Sequence, residues 1–132
     1  MIFPPTEPPM DDNDFNIINV EFVPIFPGCE KYELNSERKK CLSEKMNRLV
    51  KRKFNSGIAN GYGLSGVQRI YVNFKVDITG NITDIHTRAQ HPKLEKEALK
   101  VANKIPKMVP GKMGTTPVNV LYTLPITFKV EN

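Results

Sequence analysis

Apolar residues take every second position along the last stretch of the chain: Val118, Val120, Tyr122, Leu124, Ile126, Phe128 and Val130. Asn119, Leu121, Thr123, Pro125, Thr127 and Lys129 stand between them. A period of two predicts a β-strand with one buried face. Pro125 lacks an N–H, so a strand carrying it belongs at the edge of a sheet. Successive residues of a strand turn their N–H and C=O groups to alternate sides, so the odd-numbered residues would face outward with Pro125. An open edge invites aggregation, and it is equally a place where an extended peptide can join. Asn119, Leu121, Thr123 and Thr127 are the candidate docking positions. Leu121→Pro is expected to remove a donor there and leave the fold intact.

Upstream, Ile70, Val72, Phe74 and Val76 alternate with Tyr71, Asn73, Lys75 and Asp77, which predicts a second strand. Thr79, Gly80 and Asn81 supply a turn, and Ile82, Ile85 and Ala89 mark a third strand. The alternation slips between Ile82 and Ile85, which fits a bulge. Two segments have helical spacing instead. Leu42, Met46, Leu49, Val50 and Phe54 follow Asn35 and Ser36, both good N-caps, and Gly57 is placed to end that helix. Leu94, Ala98, Val101, Ala102 and Ile105 lie between a capping His91 with Pro92 and a terminating Pro106. Glu95 and Glu97 are expected on the surface of this helix.

The order helix, strand, strand, helix, strand predicts an α+β fold. A right-handed crossover lays the last strand beside the first arm of the hairpin. The expected architecture is a three-stranded antiparallel sheet, with that arm central, two helices packed on one face and the C-terminal strand at the edge. An exchanged dimer, with the last strand paired to a second copy, competes with it. Residues 1–22, with Pro4, Pro5, Pro8, Pro9 and the acids Asp11, Asp12 and Asp14, read as a linker remnant, and residues 23–132 as the domain.

Composition changes this picture in two places. The chain of 132 residues carries a formal net charge of +5, with basic residues crowded from Lys31 to Lys53. That crowding reads either as a solvated helix face or as a patch for nucleic acid. The aromatic motif of sheet-based RNA binders is absent. Cys29 and Cys41 are the two cysteines. They are free thiols in a reducing compartment, or a bridge worth about 3 kcal/mol in an oxidising one. No apolar run approaches the roughly 20 residues that span a bilayer. No signal-peptide pattern opens the chain. It therefore reads as cytosolic or as a piece whose targeting segment has been removed, and the proline-rich start favours the second.

Catalytic chemistry finds no footing. No serine sits on a nucleophile elbow, and neither cysteine has a histidine nearby. His86 and His91 are assigned local hydrogen bonds rather than a metal, and no cofactor is expected.

Taken in order, Gly66, Val72, Phe74, Val76, Gly80, Ile82, Ile85, Leu94, Ala98, Leu99, Pro106, Met108, Pro110, Gly111, Val118, Val120 and Phe128 resemble the C-terminal domain of TonB, an energy transducer of Gram-negative bacteria. Val23 to Glu30 followed by Cys41 resembles the lead-in of one branch of that family. Met108 stands where the family often has an aromatic. The membrane helix and most of the proline-rich spacer of a full transducer are missing from the chain. The resemblance implies a periplasmic domain of a protein anchored in the inner membrane beside a proton-driven motor. Its partners would be TonB-dependent outer-membrane receptors, each offering a short N-terminal segment, the TonB box, that adds as a strand to the edge. Pulling would then admit siderophores, cobalamin or glycans. In that compartment Cys29 and Cys41 are expected to be bridged. The alternative class is a basic nucleic-acid-binding domain using the first helix.

Overall fold

A computed structural model describes residues 14–59 and 62–130. The elements in chain order are β1 (Asp14–Asn16), α1 (Asn35–Lys53), a 3-10 turn (Ser56–Ala59), β2 (Gly66–Val76), β3 (Ile82–Arg88), α2 (Pro92–Ala102), β4 (Gly111–Met113) and β5 (Thr116–Val130). The fold is α+β, as the periodicities imply. β2 is central, paired antiparallel to β3 on one side and to β5 on the other. The β2–β5 ladder runs from Gly66 opposite Val130 to Val76 opposite Val120 without a break in register.

The sheet has more strands than the three expected. It is five-stranded, ordered β1-β5-β2-β3, with β4 pairing the start of β5. β1 runs parallel to β5, so the sheet is mixed rather than antiparallel. Both additions are three residues long within the described residues, too short for alternation to stand out from their surroundings. β1 also corrects the position of the last strand. β5 lies inside the sheet at Asn119–Leu121 and is an edge only beyond it.

One core lies between the helices and the sheet. Met46, Ile70 and Leu94 are its largest fully enclosed side chains, and Leu42, Val72, Phe74, Val76, Ala98, Val101, Leu124 and Ile126 pack with them. A smaller cluster joins Val20 and Val23 to Val118 and Val120, with Phe15 and Ile17 packed against it. Residues 14–22 thus belong to the folded unit, although a linker was expected up to residue 22. The part of that linker before residue 14 lies outside the described residues.

The helix ends follow local contacts more than the nearest glycine or proline. Leu34 occupies the cap of α1 and makes no side-chain bond. Asn35 instead holds the preceding segment, accepting from Val23 N–H at 3.0 Å and donating to the Glu21 carbonyl. α1 stops at Lys53, short of Gly57, because Phe54 turns extended and packs its ring at a tilt against Phe128, centroids 5.3 Å apart. His91 caps α2 as expected, its Nδ1 accepting from Lys93 N–H at 3.1 Å. α2 ends at Ala102 rather than at Pro106, where Lys104 and Ile105 donate to Val101 and Ala102 in tighter, three-residue steps. Glu97, expected on the surface, is buried and accepts from Asn55 N–H at 3.0 Å.

The bulge falls where the alternation slipped. Asp84 adopts φ 51°, and the β2–β3 register shifts between Asn73 and Lys75. The β2–β3 turn is drawn around Asp77. Its Oδ1 accepts from Thr79 N–H at 2.9 Å, Thr79 Oγ1 at 2.7 Å and Asn81 N–H at 2.9 Å. Burial alone would raise the Asp77 pKa, but the Thr79 hydroxyl and the N–H groups of Thr79, Asn81 and Gly80 outweigh it and hold it below 3.8. Gly80 completes the turn at φ 89°, and a Cβ there would lie 1.8 Å from the Met108 carbonyl oxygen. Met108 N–H in turn donates to the Gly80 carbonyl at 3.0 Å.

Candidate strand-docking edge

β5 presents two different kinds of position. Its even-numbered side chains from Val118 to Val130 are buried or half-buried, Val118 and Val120 against Val20 and Val23 and those from Tyr122 onward in the core beneath the helices. Thr123, Pro125, Thr127 and Lys129 are exposed on the other face. The direction of the odd-numbered backbone groups is fixed by one bond: Ile17 N–H donates to the Leu121 carbonyl at 3.1 Å, on the side away from β2. By alternation, the N–H and C=O of Thr123 and Thr127 turn the same way. Among the described residues, no strand pairs with β5 on that side beyond Leu121.

The four docking positions therefore split into two pairs. Asn119 and Leu121 are covered, lying opposite Asp14 and Asn16 of β1. Thr123 and Thr127 are exposed on the uncovered part, and Thr123 Oγ1 bonds the buried Asn73. Leu121 is buried at 4% exposure, so Leu121→Pro would open a hole as well as remove a donor. This burial argues against the expectation that the fold stays intact.

The covered part carries a charged cluster that sequence reasoning missed. Asp14 is buried, with Oδ1 accepting from Asn119 Nδ2 at 2.8 Å and Oδ2 accepting from Lys75 Nζ at 3.2 Å. Lys75 Nζ also lies 3.3 Å from Asp84 Oδ2, which the bulge turns toward it. Burial alone would lower the Lys75 pKa, but its hydrogen bonds to the two carboxylates outweigh that and raise it above 10.5. One signal was present in the sequence: Asp14, Phe15, Asn16 and Ile17 alternate polar and apolar as a strand does.

Two further features bear on binding. Cys29 and Cys41 are bridged, with Cα atoms 6.0 Å apart, and this ties the segment before α1 to the helix. Beside α1 an open groove of about 650 Å³ is lined by Lys45, Arg48, Arg52, Lys53 and Lys104 over Leu49 and Phe26. None of these five cations forms an ion pair among the described residues. No group of three metal-ligating side chains occurs among the described residues. His86 lies opposite Asn73 in the β2–β3 ladder, and His91 packs against Tyr62 with ring centroids 4.4 Å apart.

The stretch from residue 62 to residue 130 matches the family model of the Gram-negative bacterial TonB protein C-terminal domain. The chain belongs to this TonB family. No curated protein matches it, and no solved structure does. The match takes in β2, β3, α2, β4 and the whole of β5. It leaves out β1, α1 and the disulfide. The uncovered part of β5 thus lies within the match, while β1 lies outside it. The family is one of transducer domains rather than enzymes.

Proposed function

We propose that this chain is the receptor-binding domain of a TonB-type energy transducer. It works in the periplasm and takes the TonB box of TonB-dependent outer-membrane receptors as an added strand along β5. The rest of the transducer is anchored in the inner membrane beside a proton-driven motor, whose pull passes through the domain to the receptor. The observation that carries this reading is the exposed outer side of β5 at Thr123–Lys129, within the stretch that matches the family. Thr123 and Thr127 offer outward N–H and C=O groups there, interrupted at Pro125, which has no donor. Each backbone bond contributes only about 0.5–1.5 kcal/mol net. A handful, less the cost of ordering a peptide, gives affinities on the order of micromolar at best. That strength suits a transducer that must let go after each pull.

The test is an NMR titration with receptor N-terminal peptides. The largest amide shifts are expected on β5 from Asn119 to Thr127. Thr127→Pro removes an outward donor at an exposed position that edge strands tolerate, and it should weaken binding without unfolding the domain. The five cations around the groove, which form no ion pair among the described residues, favour a second reading, a nucleic-acid-binding domain. It predicts shifts on Lys45–Lys53 with oligonucleotides, falling steeply as salt rises, and a silent β5.

A further inference from the structure

β1 is held by contacts that a strand from another chain can also make. Phe15 and Ile17 turn their backbone groups toward β5, as the Ile17–Leu121 bond shows. The Asp14 carboxylate reaches Asn119 and Lys75. Phe15 and Ile17 pack on the Val118–Val120 cluster. The pairing then stops, because Asn19 and Val20 both donate to the Asn16 carbonyl and turn the chain away. Among the described residues the ladder pairs Asp14, Phe15 and Asn16 with Asn119, Val120 and Leu121. The free part of the edge begins where β1 leaves it.

We propose that Asp14–Ile17 is a resident occupant of the docking edge, displaced when a partner strand binds, and that it displays the kind of partner the edge takes. The incoming strand runs parallel to β5. It carries a carboxylate at the place of Asp14, read by Asn119 and Lys75, and apolar side chains at the places of Phe15 and Ile17. Its later residues extend along Thr123–Lys129. An antiparallel strand would reverse the order of acidic and apolar positions against Lys75 and the Val118–Val120 cluster. A parallel strand without the acid would leave the Asn119 amide without its acceptor and Lys75 with Asp84 alone. Only the identity of the protein that brings the strand rests on the receptor-binding reading. The site itself is read from β1.

The experiment uses the whole chain and a synthetic peptide copying residues 11–18, with a second peptide in which Asn replaces the aspartate at the place of Asp14. Phe15→Pro removes an N–H that faces β5. Ile17→Pro removes the observed donor to Leu121 at a turn position where proline is at ease. It serves as the second variant should Phe15→Pro disturb the fold. Removing a competing resident strand raises apparent affinity by the reciprocal of the fraction of edge it had left free, so with β1 in place about nine-tenths of the time or more either variant should bind the acidic peptide about tenfold tighter or more than the native chain does. Shifts should fall at Asn119, Leu121 and Thr123, and the Asn peptide should bind several-fold more weakly. In the native chain, saturating peptide should strip the Phe15 and Ile17 amides of their exchange protection. Equal affinity of native and variant chains would overturn the proposal, as would equal affinity for the two peptides. Receptor N-terminal peptides run in parallel separate the two ideas. If the copied peptide binds and they do not, the resident strand stands and the receptor reading falls.

Discussion

Two stretches ahead of α1 are fastened to the rest of the molecule in different ways. The lead-in segment from Phe22 to Cys29 is tied down repeatedly. Phe22 and Lys112 exchange backbone bonds of 3.0 and 2.9 Å, and Ile25 and Val109 exchange bonds of 3.0 and 3.1 Å. Asn35 holds Val23, and the disulfide closes the segment onto α1. Among the described residues β1 has a three-residue ladder, the Asp14 bonds to Lys75 and Asn119, the Ile17–Leu121 bond and one partly buried aromatic. Ordering a residue costs about 1–2 kcal/mol, and each backbone bond returns about 0.5–1.5 kcal/mol. Among the described residues β1 thus has the lighter fastening, while the lead-in segment is bonded at both ends and cross-linked. A domain can keep its frame and still exchange one strand if the permanent and the replaceable contacts fall on different segments.

The largest expected effect tests the permanent side. Replacing both Cys29 and Cys41 by Ser should cost about 3 kcal/mol in denaturant unfolding. It should leave the exchange rate of the Ile17 amide nearly unchanged. A similar loss of protection at both places would merge the two segments into one unit. Hydrogen exchange of the native chain sharpens the contrast. The Ile17 amide should open locally, on the order of a hundredfold more readily than those of Ile25 and Val109, which should exchange only with global unfolding.

Smaller effects probe β1 directly. Phe15→Ala removes a half-buried ring and should cost about 1 kcal/mol, well below the few kcal/mol of a full core truncation such as Phe74→Ala. Thermal melts of the two variants side by side would check it. The Lys75 cluster adds a pH dependence. Its pKa is raised in the folded chain, so its contribution is full below pH 10.5 and is lost as pH rises through the folded value. Asp14→Asn should remove most of that alkaline dependence. The smallest effect lies outside the contrast and serves as its control. The Asp77 pKa is depressed, so the turn's contribution is full above pH 3.8 and is lost as pH falls through the folded value. Asp77→Asn should flatten that acid limb and leave β1 exchange untouched.

The long elements were legible because each repeats its pattern several times. Seven apolar residues at alternate positions define β5, and the slip at Ile82–Ile85 located the bulge. β1 and β4 repeat once or not at all, and their pairing is set by partners about a hundred residues away or across a tight hairpin. The site was half legible for the same reason. Pro125 correctly indicated which side of β5 turns outward. Nothing local to Asn119 or Leu121 announces that Asp14 and Asn16 lie against them. Burial of Leu121 and Glu97 was equally hidden, since each depends on a neighbour from another segment.

The close approach at Gly80 has a consequence for descent. A methyl group there would collide with the Met108 carbonyl, and the backbone angle already excludes most other residues. Met108 itself can change its side chain freely as far as this contact goes, because only its main chain takes part. Among descendants of this sequence, position 80 should therefore stay glycine while position 108 drifts among apolar residues. A drifting residue beside a frozen one, joined by a main-chain contact, would leave no covariation between them.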